Sequence, residues 1–84
     1  MARVEWTSDA LDDLQKLDQP IRKRILKKIS WFQDHFQSIT PEPLSGDLQG
    51  AFKIRIGDWL AIYTIESDAI VIQAIGHRRE IYKL

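Results

Sequence analysis

A chain of 84 residues makes a single domain, 1–84, around one small core, and a hydrophobic share of 44% suits a packed globule rather than a disordered chain. Twelve basic and twelve acidic side chains cancel, which argues against a general nucleic-acid binder, a class that is usually strongly basic. Cysteine is absent, so disulfides and thiolate zinc sites are excluded and a reducing cytoplasm is the expected compartment.

Residues 1–20 are too polar for a signal peptide and no stretch approaches the length of a membrane span, so no membrane partner is expected. Arg3-Val4-Glu5-Trp6-Thr7 alternates with β-favouring residues and predicts a first strand. Ser8 suits a helix N-cap, and Asp9, Asp12 and Asp13 suit the positive end that follows. Ala10, Leu14 and Leu17 recur at helical spacing, which predicts a helix over about 9–17. Pro20 opens a second helix, where its missing N–H would be unpaired anyway. Ile21, Ile25, Ile29, Phe32 and Phe36 form its apolar stripe, and the short joint at 18–19 makes the two helices an antiparallel hairpin. Residues 37–51 hold Pro41, Pro43, Gly46 and Gly50 and read as a loop crossing from helix to sheet.

Three strands follow, at about 52–56, 59–66 and 69–75, joined by the tight Gly57-Asp58 and Ser67-Asp68 turns and therefore antiparallel in sequence. The predicted fold is α+β, in the order β-α-α-β-β-β. An N-terminal helix hairpin packs on one face of a mainly antiparallel four-stranded sheet.

The charges are unevenly placed. Arg22, Lys23, Arg24, Lys27 and Lys28 follow one another with no acid between them. Their plain reading is a solvated helix face, and their functional reading is contact with RNA phosphates. Lys53 and Arg55 are two apart on a strand and share its face, opposite Phe52, Ile54 and Ile56. The last strand ends in Gly76-His77-Arg78-Arg79-Glu80-Ile81-Tyr82-Lys83. A guanidinium at Arg78 can grip a phosphate as a fork or simply pair with Glu80 or another acid. His77 can titrate near neutral pH or serve as a structural imidazole. Tyr82 can pack or move a proton. His35 and His77 are the only histidines and lack ligand spacing, so no metal site is expected; no cofactor motif is present either.

Pro43-Leu44-x-Gly46-x-Leu48-x-Gly50-x-Phe52-Lys53-Ile54-Arg55, Gly57-Asp58-Trp59, Ile62-Tyr63 and Ile75-Gly76-His77-Arg78-x-x-Ile81-Tyr82 together resemble the RelE/ParE toxin superfamily, on the RelE side. The resemblance covers roughly the whole chain and rests on the ordered set rather than on any one piece. It implies a RelE-like microbial RNase fold. The implied activity is that of a toxin in a toxin–antitoxin system, a metal-independent endoribonuclease that cuts messenger RNA on the ribosome and so inhibits translation. In that reading Lys53, Arg55, Arg78 and Tyr82 are catalytic. The first three stabilise charge on the phosphate, and Tyr82 assists proton transfer at the attacking 2′-hydroxyl. His77, Arg79, Lys83, Lys27 and Lys28 are RNA-binding.

The implied partners are a cognate RelB-like antitoxin, the ribosome and its message, and Trp6, Trp31 and Trp59 are candidate interface aromatics. Leu60 departs from the pattern: relatives usually carry a phosphate-binding arginine at this place, and the leucine implies a chain that is weakly active, inactive or differently targeted. The alternative within the resemblance is a ParE-type toxin that inhibits DNA gyrase by binding, without catalysis.

Overall fold

The computed structural model describes residues 2–45 and 50–81. Its elements are β1 (Arg3–Trp6), α1 (Ser8–Gln15), α2 (Gln19–Asp34), a 3-10 turn (Phe36–Ser38), β2 (Glu42–Pro43), β3 (Phe52–Ile56), β4 (Trp59–Glu66), β5 (Ala69–His77) and α3 (Arg78–Ile81). The α+β class is as expected, with one more strand in the sheet. Its five strands run in the order β1-β5-β4-β3-β2. β1 lies parallel to β5 and every other pair is antiparallel.

The fifth strand sits inside the predicted loop. Glu42 and Pro43 pair with Lys53 and Phe52, and the Leu44 N–H donates to the Ala51 carbonyl at 2.9 Å. A two-residue strand has no periodicity to read; its partner defines it. Gly46 and Leu48, also part of the resemblance, lie outside the described residues.

α1 begins one residue earlier than predicted and ends at Gln15, two residues short of the expected end. Its cap is Thr7, not Ser8: the backbone is still extended there, and the Thr7 hydroxyl accepts from the Ala10 N–H at 3.1 Å. The same hydroxyl donates to the Gln73 carbonyl at 3.3 Å, and the Thr7 N–H donates to the Ile72 carbonyl at 3.1 Å. Asp13 accepts from the Ile75 N–H at 3.1 Å. β1 stops pairing at Ile72, so Thr7 and Asp13 satisfy β5 backbone groups beyond it, and α1 is tied to the sheet by hydrogen bonds as well as by packing.

The core lies between the hairpin and one sheet face. α1 supplies Ala10 and Leu14, α2 supplies Ile25, Ile29 and Phe32, and the sheet supplies Ile54, Ile56, Ala61, Tyr63, Ile70, Ile72 and Ile75. The β4–β5 register shifts between Ile62 and Tyr63, so that Gln73 is the extra residue of a β-bulge. The bulge turns both Ile72 and Ile75 toward the helices, a spacing that strict alternation would forbid. On the other face Leu60 and Ile62 are also buried, outside this cluster. α3 folds back there against β4 and β5.

Tyr63 is fully buried between the Phe32 and Phe52 rings, at centroid distances of 5.4 and 5.5 Å, and its hydroxyl has no hydrogen-bond partner among the described residues. Burial, and then the charge of Glu42, push the phenol from its ordinary 10 up to about 12. The unfolded chain therefore loses this proton before the folded one does. The contribution to stability is intact below pH 10 and is lost as the pH climbs toward 12, by about 3 kcal/mol in all. Tyr63→Phe is expected to abolish that alkaline component. At pH 7 it should raise stability by about 1 kcal/mol, or roughly 5 °C in Tm, because an orphaned buried hydroxyl is removed. Thermal melts of both proteins across pH 7–11.5 measure this, and a Tm below the parent's at pH 7 would mean the hydroxyl has a partner.

Candidate anion-binding site

The site grows from the β3–β4 hairpin. Arg55 lies opposite Leu60 on β4, and Leu60 lies opposite Gly76 on β5. These three positions cross the open face of the sheet in a row, each strand about 4.8 Å from the next. The hairpin turns at Gly57-Asp58, where Gly57 takes a φ of +61° that few side chains tolerate.

Two residues past Gly76 the chain leaves the sheet and enters α3. The Arg78 N–H donates to the Asp58 carbonyl at 2.8 Å, and the Arg78 Nε lies 3.6 Å from the Asp58 carboxylate. The ion pair is thus with Asp58, across the hairpin, and not with Glu80. A Cβ on Gly76 would stand 3.1 Å from the Ile81 side chain, so the glycine is what lets α3 lie this close to the sheet.

The result is an open cleft of about 430 Å³ lined by Arg55, Leu60, Arg78 and Arg79. Leu60, only 1% exposed, forms an apolar floor, and the three guanidinium-bearing side chains stand around it. Like charges gathered over an apolar floor favour an anion, and guanidinium forks match phosphate geometry.

Lys53 lies on the same sheet face as Arg55, one step along the strand, in an adjoining hollow of about 280 Å³ that also involves Lys28, Trp31, Glu42 and Arg55. Its side chain is 15% exposed, and its ammonium lies 3.8 Å from the Glu42 carboxylate. Arg55 is shared by the two hollows. Lys27 and Lys28 border a third, about 360 Å³, with Arg24, Trp31 and Ile56. The Lys28 ammonium sits 4.4 Å over the Trp31 ring, whose other neighbour is the stacked His35 ring at 4.3 Å.

Of the side chains expected to meet, Arg55 and Arg78 border this cleft, joined by Arg79, while Lys53 lies in the adjoining hollow. His77 is placed differently. It pairs with Trp59 and meets that ring edge-on at 5.3 Å, on the face opposite Leu60 and Gly76, while its Nδ1 accepts from the Arg79 N–H at 3.2 Å. His77 thus stands on the face away from the cleft, at the start of α3. Tyr82 and Lys83 lie outside the described residues. Of the three tryptophans, Trp6 and Trp59 pack partly against the core and Trp31 is exposed. Asp58 and Glu42, the acids that face these cations, carry no sign of that pairing in the sequence: one reads as a turn residue and the other as loop.

No match was found among curated proteins. The sequence matches the family described as ParE toxin of type II toxin-antitoxin system, parDE, over residues 4–82. Among solved structures, the chain is similar to one in the toxin–antitoxin complex RelBE2 from Mycobacterium tuberculosis. The identity is 26%, the coverage 92% of this chain and 98% of that one, and the TM-score 0.78. It shares its fold with the isolated E. coli RelE toxin at 16% identity, 99% and 93% coverage and a TM-score of 0.75. It does so too with a chain of the chromosomal ParDE system from P. aeruginosa, at 18% identity, 92% and 96% coverage and a TM-score of 0.73.

Proposed function

The chain belongs to the ParE toxin family of type II toxin–antitoxin systems, within the RelE/ParE superfamily, and from that we propose that it is an endoribonuclease of the RelE kind, cutting messenger RNA held on the ribosome. The observation that carries the reading is the cleft in which Arg55, Arg78 and Arg79 surround Leu60. In such a reaction the 2′-oxygen forms a bond to the adjacent phosphorus and gives up its proton. The bond to the 5′-oxygen breaks, and that oxygen takes a proton, leaving a cyclic phosphate. Negative charge builds on the non-bridging oxygens, and fixed guanidinium groups stabilise it.

Arg55 and Arg78 hold the phosphate in this proposal, with Arg79 and Lys53 at its margins and Tyr82 assisting the proton. The ribosome supplies alignment of the substrate, which so small and open a cleft does not. Lys27 and Lys28 contact RNA phosphates. A RelB-like antitoxin is the proposed partner in the cell, and the exposed Trp31 is available to it. A cytoplasmic location is part of the proposal; among the described residues no helix is long and apolar enough to cross a membrane.

Two observations favour a second reading, inhibition of DNA gyrase by binding. The matching family is that of ParE, and the described residues lining the cleft include arginines and a leucine but no group that readily exchanges protons near pH 7. The two readings separate in parallel assays. Ribosome-dependent cleavage of a defined message, with supercoiling by gyrase unaffected, is the expected result; inhibited supercoiling with an intact message would select the second reading.

A further inference from the structure

We propose that Asp58 is a positioning residue for Arg78, turning its guanidinium so that the two terminal nitrogens face the cleft. The inference rests on the reading of the cleft as a phosphate site. The carboxylate lies 3.6 Å from Nε, the inner nitrogen of the guanidinium. A partner at Nε leaves both terminal nitrogens for a phosphate. The backbone makes the geometry firm: the Arg78 N–H donates to the Asp58 carbonyl at 2.8 Å, so the first residue of α3 is fastened to the turn that follows Arg55 by two residues. One hairpin therefore carries the first guanidinium of the cleft and orients the second.

The Arg24 guanidinium lies 3.0 Å from where a Gly57 Cβ would be, so a side chain at this turn position would have to displace it. Asp58 also places a negative charge beside a cleft where Arg55, Arg78 and Arg79 would otherwise repel one another. The Asp58 and Arg78 side chains are 64% and 51% exposed, so the pair biases orientation and adds little to stability.

The test is a double-mutant cycle of Asp58→Asn and Arg78→Ala, with two readouts. One is the NMR signal of the Arg78 Nε–H, which reports the contact whatever the protein acts on. The other is the single-turnover rate of cleavage of ribosome-bound message. Asp58→Asn should shift the Nε–H signal and lower the rate about fivefold, the scale an exposed ion pair can supply. In the Arg78→Ala background it should have no effect on rate, and Asp58→Glu should restore most of it. An unmoved Nε–H signal, or an equal loss in both backgrounds, would overturn the proposal. A shifted signal in a protein that never cleaves would uphold the positioning and refute the nuclease reading.

Discussion

Arg78→Ala is expected to lower ribosome-dependent cleavage by about 10²–10³-fold, the usual consequence of removing one preorganised donor from a developing oxyanion. Three features single this residue out. It borders the cleft, it is anchored through its own backbone to the β3–β4 turn, and its inner nitrogen has a carboxylate neighbour. A donor held before substrate arrives stabilises charge without reorganising at the moment of reaction, which is why truncation should act on rate more than on substrate affinity. Stability should hardly change, because the side chain is half exposed and its ion pair is weak. The measurement is single-turnover cleavage at saturating ribosomal complex, alongside a thermal melt. A variant that folds and cuts as fast as its parent would remove Arg78 from the chemistry and leave the cleft as a binding surface.

Leu60→Arg should work in the opposite direction. Leu60 is the floor of the cleft, between Arg55 and Gly76 across the strands, so an arginine there can reach up among the other three guanidinium groups. An added donor is expected to speed cleavage by about 10²-fold, the converse of losing one. The same change sacrifices a nearly fully buried leucine and adds a cation beside three others. The lost burial alone is worth about 2 kcal/mol, so Tm should fall by roughly 10 °C. Rate and stability are thus expected to part company at this position. Cleavage measured at 20 °C, where both proteins are folded, reads the first effect and a melt reads the second. A variant that is less stable and no faster would show that the floor takes no part in holding the phosphate.

How far the sequence reaches is seen best element by element. The stripe on α2 is legible because Ile25, Ile29 and Phe32 each meet the core from one helix face. The three C-terminal strands are legible because their turns are short and their apolar runs long; β5 merely extends two residues further, to His77. The resemblance puts Lys53, Arg55, Arg78 and Tyr82 in one site; in the structure Arg55 and Arg78 share a cleft with Arg79, and Lys53 lies in the hollow beside it. What escaped depends on partners. β2 exists only because Phe52 and Lys53 pair with it. Thr7 displaces Ser8 as the cap because β1 ends where its hydroxyl can reach both α1 and β5. Gln73 looks like any residue in an apolar run, and the bulge that it makes decides which isoleucines face the helices. His77 reads either as an RNA contact or as a structural imidazole, and strand alternation puts it on the face of Trp59.

The local rules written in the residues themselves determined the helix hairpin, β1, the three C-terminal strands and their order: helical periodicity, strand alternation and turn residues, with a surplus of cations near the end. Whether those cations stand together was a matter for the tertiary structure, which also decided what restrains them. Arg55 and Arg78 are 23 positions apart in the chain and meet only through two strand pairings and a backbone bond to Asp58. Such a meeting depends on strand register and on where a glycine lets the backbone fold back, and neither is a property of any short stretch of sequence.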